Sequence, residues 1–164
     1  MATEPYWLVE ARKYLGQHEK AGAQHNPLIL RWWTLIRAPF TDDETPWCAG
    51  FVGGILESVG IKSSRSASAR SYLNWGQDLK APVVGCIVVF SRPGAPGNGH
   101  VGFVVGRDSL GNLLVLGGNQ GDAVSIKAFP VERVVGYAWP FGVRVPTSPL
   151  PVYNVQTALS VNEA

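Results

Sequence analysis

The sequence predicts an α+β domain, with N-terminal helices packed on an antiparallel β-sheet, and three observations predict it. Apolar residues in the first half recur at helical spacing. Asn26-Pro27 and Thr45-Pro46 each set a capping side chain just ahead of a proline, a pattern that opens helices. From Val83 onward, short apolar runs alternate with glycine-bearing turns, as in a meander. Helices first and hairpins second is the α+β order.

The elements follow in turn. Thr3 is the expected cap of a first helix in which Trp7, Ala11 and Tyr14 or Leu15 share one face, with Gly16 as its stop. A second helix opens at Asn26-Pro27, carries Leu28, Ile29, Trp32, Trp33 and Ile36 at helical spacing, and ends before Pro39. A third opens at Thr45-Pro46, continues to Val59 and stops at Gly60. A short fourth runs from Ala69 to Trp75. Strands are expected over Val83–Phe90, His100–Gly106, Leu113–Leu116, Ala123–Phe129 and Val134–Trp139. Ser91–Gly99, with two prolines and three glycines, reads as a loop. Residues 1–142 are expected to form the domain, and the Pro-rich residues 143–164 a linker or tail.

Composition narrows the function classes. The chain has 164 residues, a 46% apolar share and six tryptophans, enough to bury a core without metals or disulfides. A net charge of +2 with no basic stripe gives no reason to expect nucleic acid as a partner. No apolar run approaches the ~20 residues of a membrane span. The N-terminus has neither a charged start nor an apolar stretch of signal-peptide type, so synthesis in the cytoplasm without a leader is expected. His18, His25 and His100 have no compact ligand spacing, and His18-Glu19-Lys20 is not a zinc-protease helix, so neither a metal nor a cofactor is expected.

Three residues form the candidate catalytic set. Cys48, near the start of its helix, is set among unpaired N–H groups and a positive dipole end that favour thiolate. His100, at a strand start, is the candidate base, since thiol nucleophiles are activated by an adjacent imidazole. Asn119, in Gly117-Gly118-Asn119-Gln120-Gly121, is the candidate group that fixes the tautomer of that base; Gln120 is the alternative for the same role. Trp47, Asp43 and Gln120 are the candidates for substrate binding. Cys86, within an apolar strand, is expected to pack rather than react.

The string Asp43-Glu44-Thr45-Pro46-Trp47-Cys48-Ala49-Gly50-Phe51-Val52, with Gly99-His100-Val101-Gly102-Phe103 and Gly117-Gly118-Asn119-Gln120, resembles the CHAP branch of the NlpC/P60-type cysteine peptidases. More narrowly, it resembles compact cell-wall hydrolases of phages and prophages. The resemblance covers about residues 3–140. It implies a papain-like fold, cleavage of an amide in the peptide part of peptidoglycan, no metal, Cys48 as nucleophile, His100 as base and Asn119 as third member. Two positions depart from it: Gly117 stands where many CHAP domains carry Glu, and Cys86 where relatives often carry Asp. The expected protein is thus a monomeric peptidoglycan hydrolase, an N-acetylmuramoyl-L-alanine amidase or endopeptidase of endolysin type, acting on the wall in the periplasm after release. An antibacterial effector of the same chemistry and a non-catalytic wall-binding or virion module are the alternatives.

Overall fold

The computed structural model describes residues 3–20 and 24–154 of the chain. Helices α1 (Tyr6–Arg12), α2 (Pro27–Leu35) and α3 (Cys48–Ser58) come first, followed by a 3-10 helix at Ala69–Asn74. Seven strands follow among the described residues: β1 (Gln77–Leu79), β2 (Ile87–Arg92), β3 (Ala95–Asp108), β4 (Leu113–Gly117), β5 (Ser125–Phe129), β6 (Val134–Trp139) and β7 (Val152–Tyr153). Their order in the sheet is β1-β6-β2-β3-β4-β5, antiparallel throughout, with β7 laid parallel on β3. The chain has an α+β architecture, consistent with a papain-like fold.

The helices form for reasons local to their sequences. Asn26 caps α2 by accepting from the Leu28 N–H at 2.9 Å, and Pro27 fills the first helical position, where no N–H is needed. Helix α2 buries Ile29, Trp32 and Trp33 against α3. Helix α3 is buried along every residue from Cys48 to Leu56, because it also packs on β3 through Phe51 and Phe103, whose rings lie 6.2 Å apart. Gly54 makes the α2–α3 approach possible: a Cβ there would stand 2.4 Å from the Trp32 ring.

Three local expectations need correction. Helix α1 starts after Pro5 with no side-chain cap; Thr3 does not cap it, and Glu4 instead pairs with Arg12 at 2.6 Å. Thr45 does not cap α3. The Asp42 carboxylate accepts from the Glu44 and Thr45 N–H groups at 3.0 and 2.7 Å, making a turn of its own, so that Trp47 precedes the helix and Cys48 is its first residue. Ser91–Gly99 is not a loop. Strand β2 runs to Arg92 and β3 begins at Ala95, because Gly94, in the left-handed region at φ +74°, closes a tight hairpin. Strands β1 and β7, of three and two residues, are too short to leave a period in the sequence.

Residues 143–154 lie on the body of the domain. Trp139 donates its indole N–H to the Val143 carbonyl at 2.9 Å, and Val143, Val145 and Leu150 pack against the core. The Arg107 N–H bonds the Pro151 carbonyl at 3.0 Å beside the β7 pairing. Residues 155–164 lie outside the described residues. Truncation after Gly142 is therefore expected to leave the Trp139 indole unpaired and strip an apolar cover, costing about 2 kcal/mol or more. Chemical denaturation of the two forms checks this; equal midpoints would mean that residues 143–154 contribute nothing.

Candidate active site

Cys48 sits at the first turn of α3 and is 4% exposed. The backbone N–H of Val101, on β3 next to His100, and those of Ala49 and Cys48 turn their positive ends toward its sulfur and favour the thiolate. Burial is the largest influence and pushes the thiol upward; the Val101 N–H, the positive charge of Arg92 and the helix-start N–H groups pull the other way. Cys48 opens on a cleft of about 320 Å³ lined also by Pro46, Ser68, Arg92, Asn98 and Gly99.

His100 faces Phe90 across the β2–β3 ladder and is wholly buried. Its ring stacks on Phe129 at 5.4 Å with 13° between planes, and on Phe90 at 6.4 Å with 20°. Burial, against the opposing hydrogen bond from Gln120 and with the help of the Arg92 and Arg133 charges, lowers its pKa to about 4. At neutral pH the resting pair is accordingly thiol and neutral imidazole, which corrects the thiolate expected from helix position alone.

The tautomer of that imidazole follows from its neighbour. Gln120 is 1% exposed, and its side-chain NH₂ donates to the Val115 carbonyl at 3.2 Å and to the Ser125 carbonyl at 2.8 Å. Two carbonyls on that side fix the amide orientation, so Oε1 is the end that faces His100 Nε2 at 2.9 Å. Nε2 therefore carries the proton and donates it. Nδ1, buried and without a hydrogen-bond partner, is left as the basic nitrogen.

Gly117 makes room for this arrangement. A Cβ at position 117 would lie 2.4 Å from Gln120 Oε1 and 3.4 Å from His100 Nε2. A side chain at 117 would point at the imidazole; with none there, the Gln120 amide occupies that space. Asn119 does not meet His100. It holds a left-handed backbone, φ 59°, and both polar atoms of its buried amide lack a hydrogen-bond partner.

The three substrate-binding candidates are all buried. Trp47 is fully enclosed, stacked on Trp32 at 5.9 Å, with its N–H given to Glu19 at 2.8 Å. Asp43 is fully enclosed too. Its carboxylate accepts from the Lys20 and Asn26 N–H groups, each at 2.8 Å, and meets His25 Nδ1 at 3.0 Å, tying the segment before α2 to the turn before α3. Gln120 serves the imidazole from inside. None of the three lines the cleft. Arg92, which does, gives no sign of this in the sequence: its neighbours Ser91 and Pro93 read as loop.

Cys86 is wholly buried and unpaired, and burial pushes its thiol to about 12. Cys86→Val is expected to keep the hydrolysis rate within about twofold, since a thiol held protonated is inert and the swap nearly conserves volume. Rates on purified wall check it; a hundredfold loss in a folded variant would make Cys86 a working thiol.

Cys48 at the start of α3 opens on a cleft that Gly99, the β3 neighbour of His100, also lines, on an α+β frame. Residues 40–119 match the family model of the CHAP domain. The match supports a CHAP-type cysteine peptidase or amidase, and a CHAP domain suggests hydrolysis of peptidoglycan. No curated protein and no solved structure matches the chain. The matched span holds Cys48, His100 and Asn119 and ends one residue before Gln120. No helix among the described residues is long and apolar enough to cross a membrane.

Proposed function

We propose that this chain cleaves an amide of the peptidoglycan stem peptide or cross-link through a thioester on Cys48, with His100 as general base and Gln120 as its positioning residue. The observation that carries the reading is the hydrogen bond from His100 Nε2 to the locked Gln120 amide, which leaves Nδ1 as the basic nitrogen on the strand that also lends Gly99 to the Cys48 cleft. Nδ1 takes the thiol proton as the sulfur attacks the scissile carbonyl. The oxyanion that forms is met by N–H groups at the start of α3. The C–N bond breaks as Nδ1 returns the proton to the leaving amine. Water, deprotonated by the same nitrogen, then attacks the thioester, releasing a carboxylic acid and the free thiol.

The resting state suits this order. A neutral thiol and a neutral imidazole carry no buried charge until substrate closes the cleft. The endolysin role, in a phage or prophage, and action on the wall after release rest on the motif strings alone; an injected effector shares every step above.

Digestion of purified peptidoglycan tests the reading. New free amino groups without new reducing ends are expected, because an amide is cut and the sugar linkage is spared. Mass analysis of the products separates amidase from endopeptidase cleavage. Stoichiometric new reducing ends would overturn the proposal, and an unchanged wall would favour a non-catalytic binding module.

A further inference from the structure

A second groove lies away from Cys48. It encloses about 700 Å³, within the range of small-ligand sites. Trp75, Tyr6 and Phe141 line it with aromatic surface, and Lys62, Asn74 and Ser71 bring polar groups to the same space. Phe141 is 76% exposed and Tyr6 50% exposed. Two of the protein's large exposed apolar side chains thus meet in one groove, where neither serves the core.

Trp75 is held as a platform. Its indole N–H is already given to the Lys62 carbonyl at 3.0 Å, and its ring stands edge-on to buried Tyr72 at 5.3 Å. The ring offers a face rather than a donor. Fixed aromatic faces among hydroxyl, amide and ammonium groups suit a ligand that is apolar on one side and polar around its edge. A pyranose has that character: its axial C–H bonds form an apolar face, and hydroxyl and acetamido groups ring it. No carboxylate side chain lines the groove, so nothing there repels an anionic polymer.

The groove and the cleft at Cys48 are lined by the same two chain segments. Lys62, Ser63 and Ser64 line the groove, and the same segment continues through Ala67, Ser68 and Ala69 into the cleft. The 3-10 helix Ala69–Asn74 joins them again, with Ala69 in the cleft and Asn74 in the groove. At ~2 Å per residue, the five steps from Ala69 to Asn74 run about 10 Å along that helix. A substrate whose peptides branch from a sugar chain can occupy both at once.

We infer that the groove at Trp75, Tyr6 and Phe141 binds the N-acetylated glycan strand of peptidoglycan and presents the attached peptide to Cys48. The inference rests on the proposed function for its substrate class, but it concerns binding and is tested without cleavage. The full chain carrying Cys48→Ala is titrated with the N-acetylglucosamine tetramer and with peptide-free glycan strands. Five of the six tryptophans are at most 2% exposed, so a saturable change in tryptophan emission reports on Trp75. NMR shifts are expected at the Trp75 indole N–H and across residues 61–76. Phe141→Ala, an exposed change that leaves the fold alone, is expected to weaken binding about tenfold by removing one stacking face.

In the otherwise native enzyme, Phe141→Ala is expected to raise KM for intact wall by about the same tenfold factor, with kcat unchanged and with no effect on a soluble stem peptide. Sugar binding that maps outside the groove, its absence at millimolar probe, or competition at the groove by stem peptide alone would overturn the assignment. Sugar binding at the groove in a protein that fails to cut wall would uphold it while sinking the proposed hydrolysis. Cleavage of wall without sugar binding would do the reverse.

Discussion

Cys48→Ala is expected to lower amide hydrolysis by about 10⁴-fold or more while the protein stays folded, as for loss of the nucleophile in an acyl-transfer unit. The sulfur has no substitute: the other cysteine, Cys86, is wholly buried and held protonated. The substitution removes one buried atom at the first turn of α3 and leaves the α2–α3 packing, built on Trp32, Phe51 and Gly54, in place. A stability loss of about 1 kcal/mol is the expected side effect. Rates on purified wall, paired with thermal denaturation, separate the two effects. Iodoacetamide is expected to inactivate the native enzyme and EDTA to spare it. Substantial hydrolysis by folded Cys48→Ala would end the thioester mechanism.

What the sequence tells and what it hides divide along a physical line. Local signals survive: Asn26 caps α2 as its chemistry predicts, and the apolar runs of β2, β4 and β6 appear close to where they are expected. Signals that depend on a distant partner do not. Asp43 and Trp47 look like groups available to a ligand because they flank Cys48 in the chain. Yet Lys20, Asn26 and His25 claim the carboxylate, and Glu19 and Trp32 claim the indole, all from an earlier segment. Thr45 loses its capping role to Asp42, since the carboxylate reaches two N–H groups of its own turn. The hairpin at Pro93-Gly94 is hidden by the very residues that make it, because glycines and prolines in number read as loop. Cys48 and His100 are candidates from motif, whereas which of Asn119 and Gln120 reaches the imidazole is not legible in the sequence. Both amides are buried, and the left-handed backbone at Asn119, φ 59°, leaves Gln120 as the one that bonds the imidazole.

That choice yields the second large effect, on Gln120. Gln120→Ala is expected to lower kcat/KM by about 10²-fold or more, because Nε2 loses the acceptor that keeps its proton and Nδ1 no longer stays the basic nitrogen. It also strands a buried ring N–H, at a cost of about 1–3 kcal/mol. Asn119→Gly, which preserves the left-handed backbone and removes an amide that bonds nothing, is expected to be mild in both respects. The pH dependence gives the finer test. His100 has its pKa lowered from 6.5 to about 4, so it stays neutral and competent as a base through pH 5, and the acid limb of kcat/KM is expected near 4. The same shift acts on stability. Between pH 6.5 and 4 the unfolded chain binds a proton at this histidine that the folded chain refuses. Stability from this group is therefore full above 6.5 and lost as pH falls toward 4, by about 3 kcal/mol in all. Gln120→Glu puts a carboxylate in place of the amide oxygen, and a charge of that sign beside the imidazole is expected to raise its pKa by about 1–3 units. The acid limb then moves toward neutrality, and the loss of stability on acidification shrinks with it. An acid limb that stays fixed in Gln120→Glu, or full activity in Gln120→Ala alongside a crippled Asn119→Gly, would transfer the positioning role from Gln120 to Asn119.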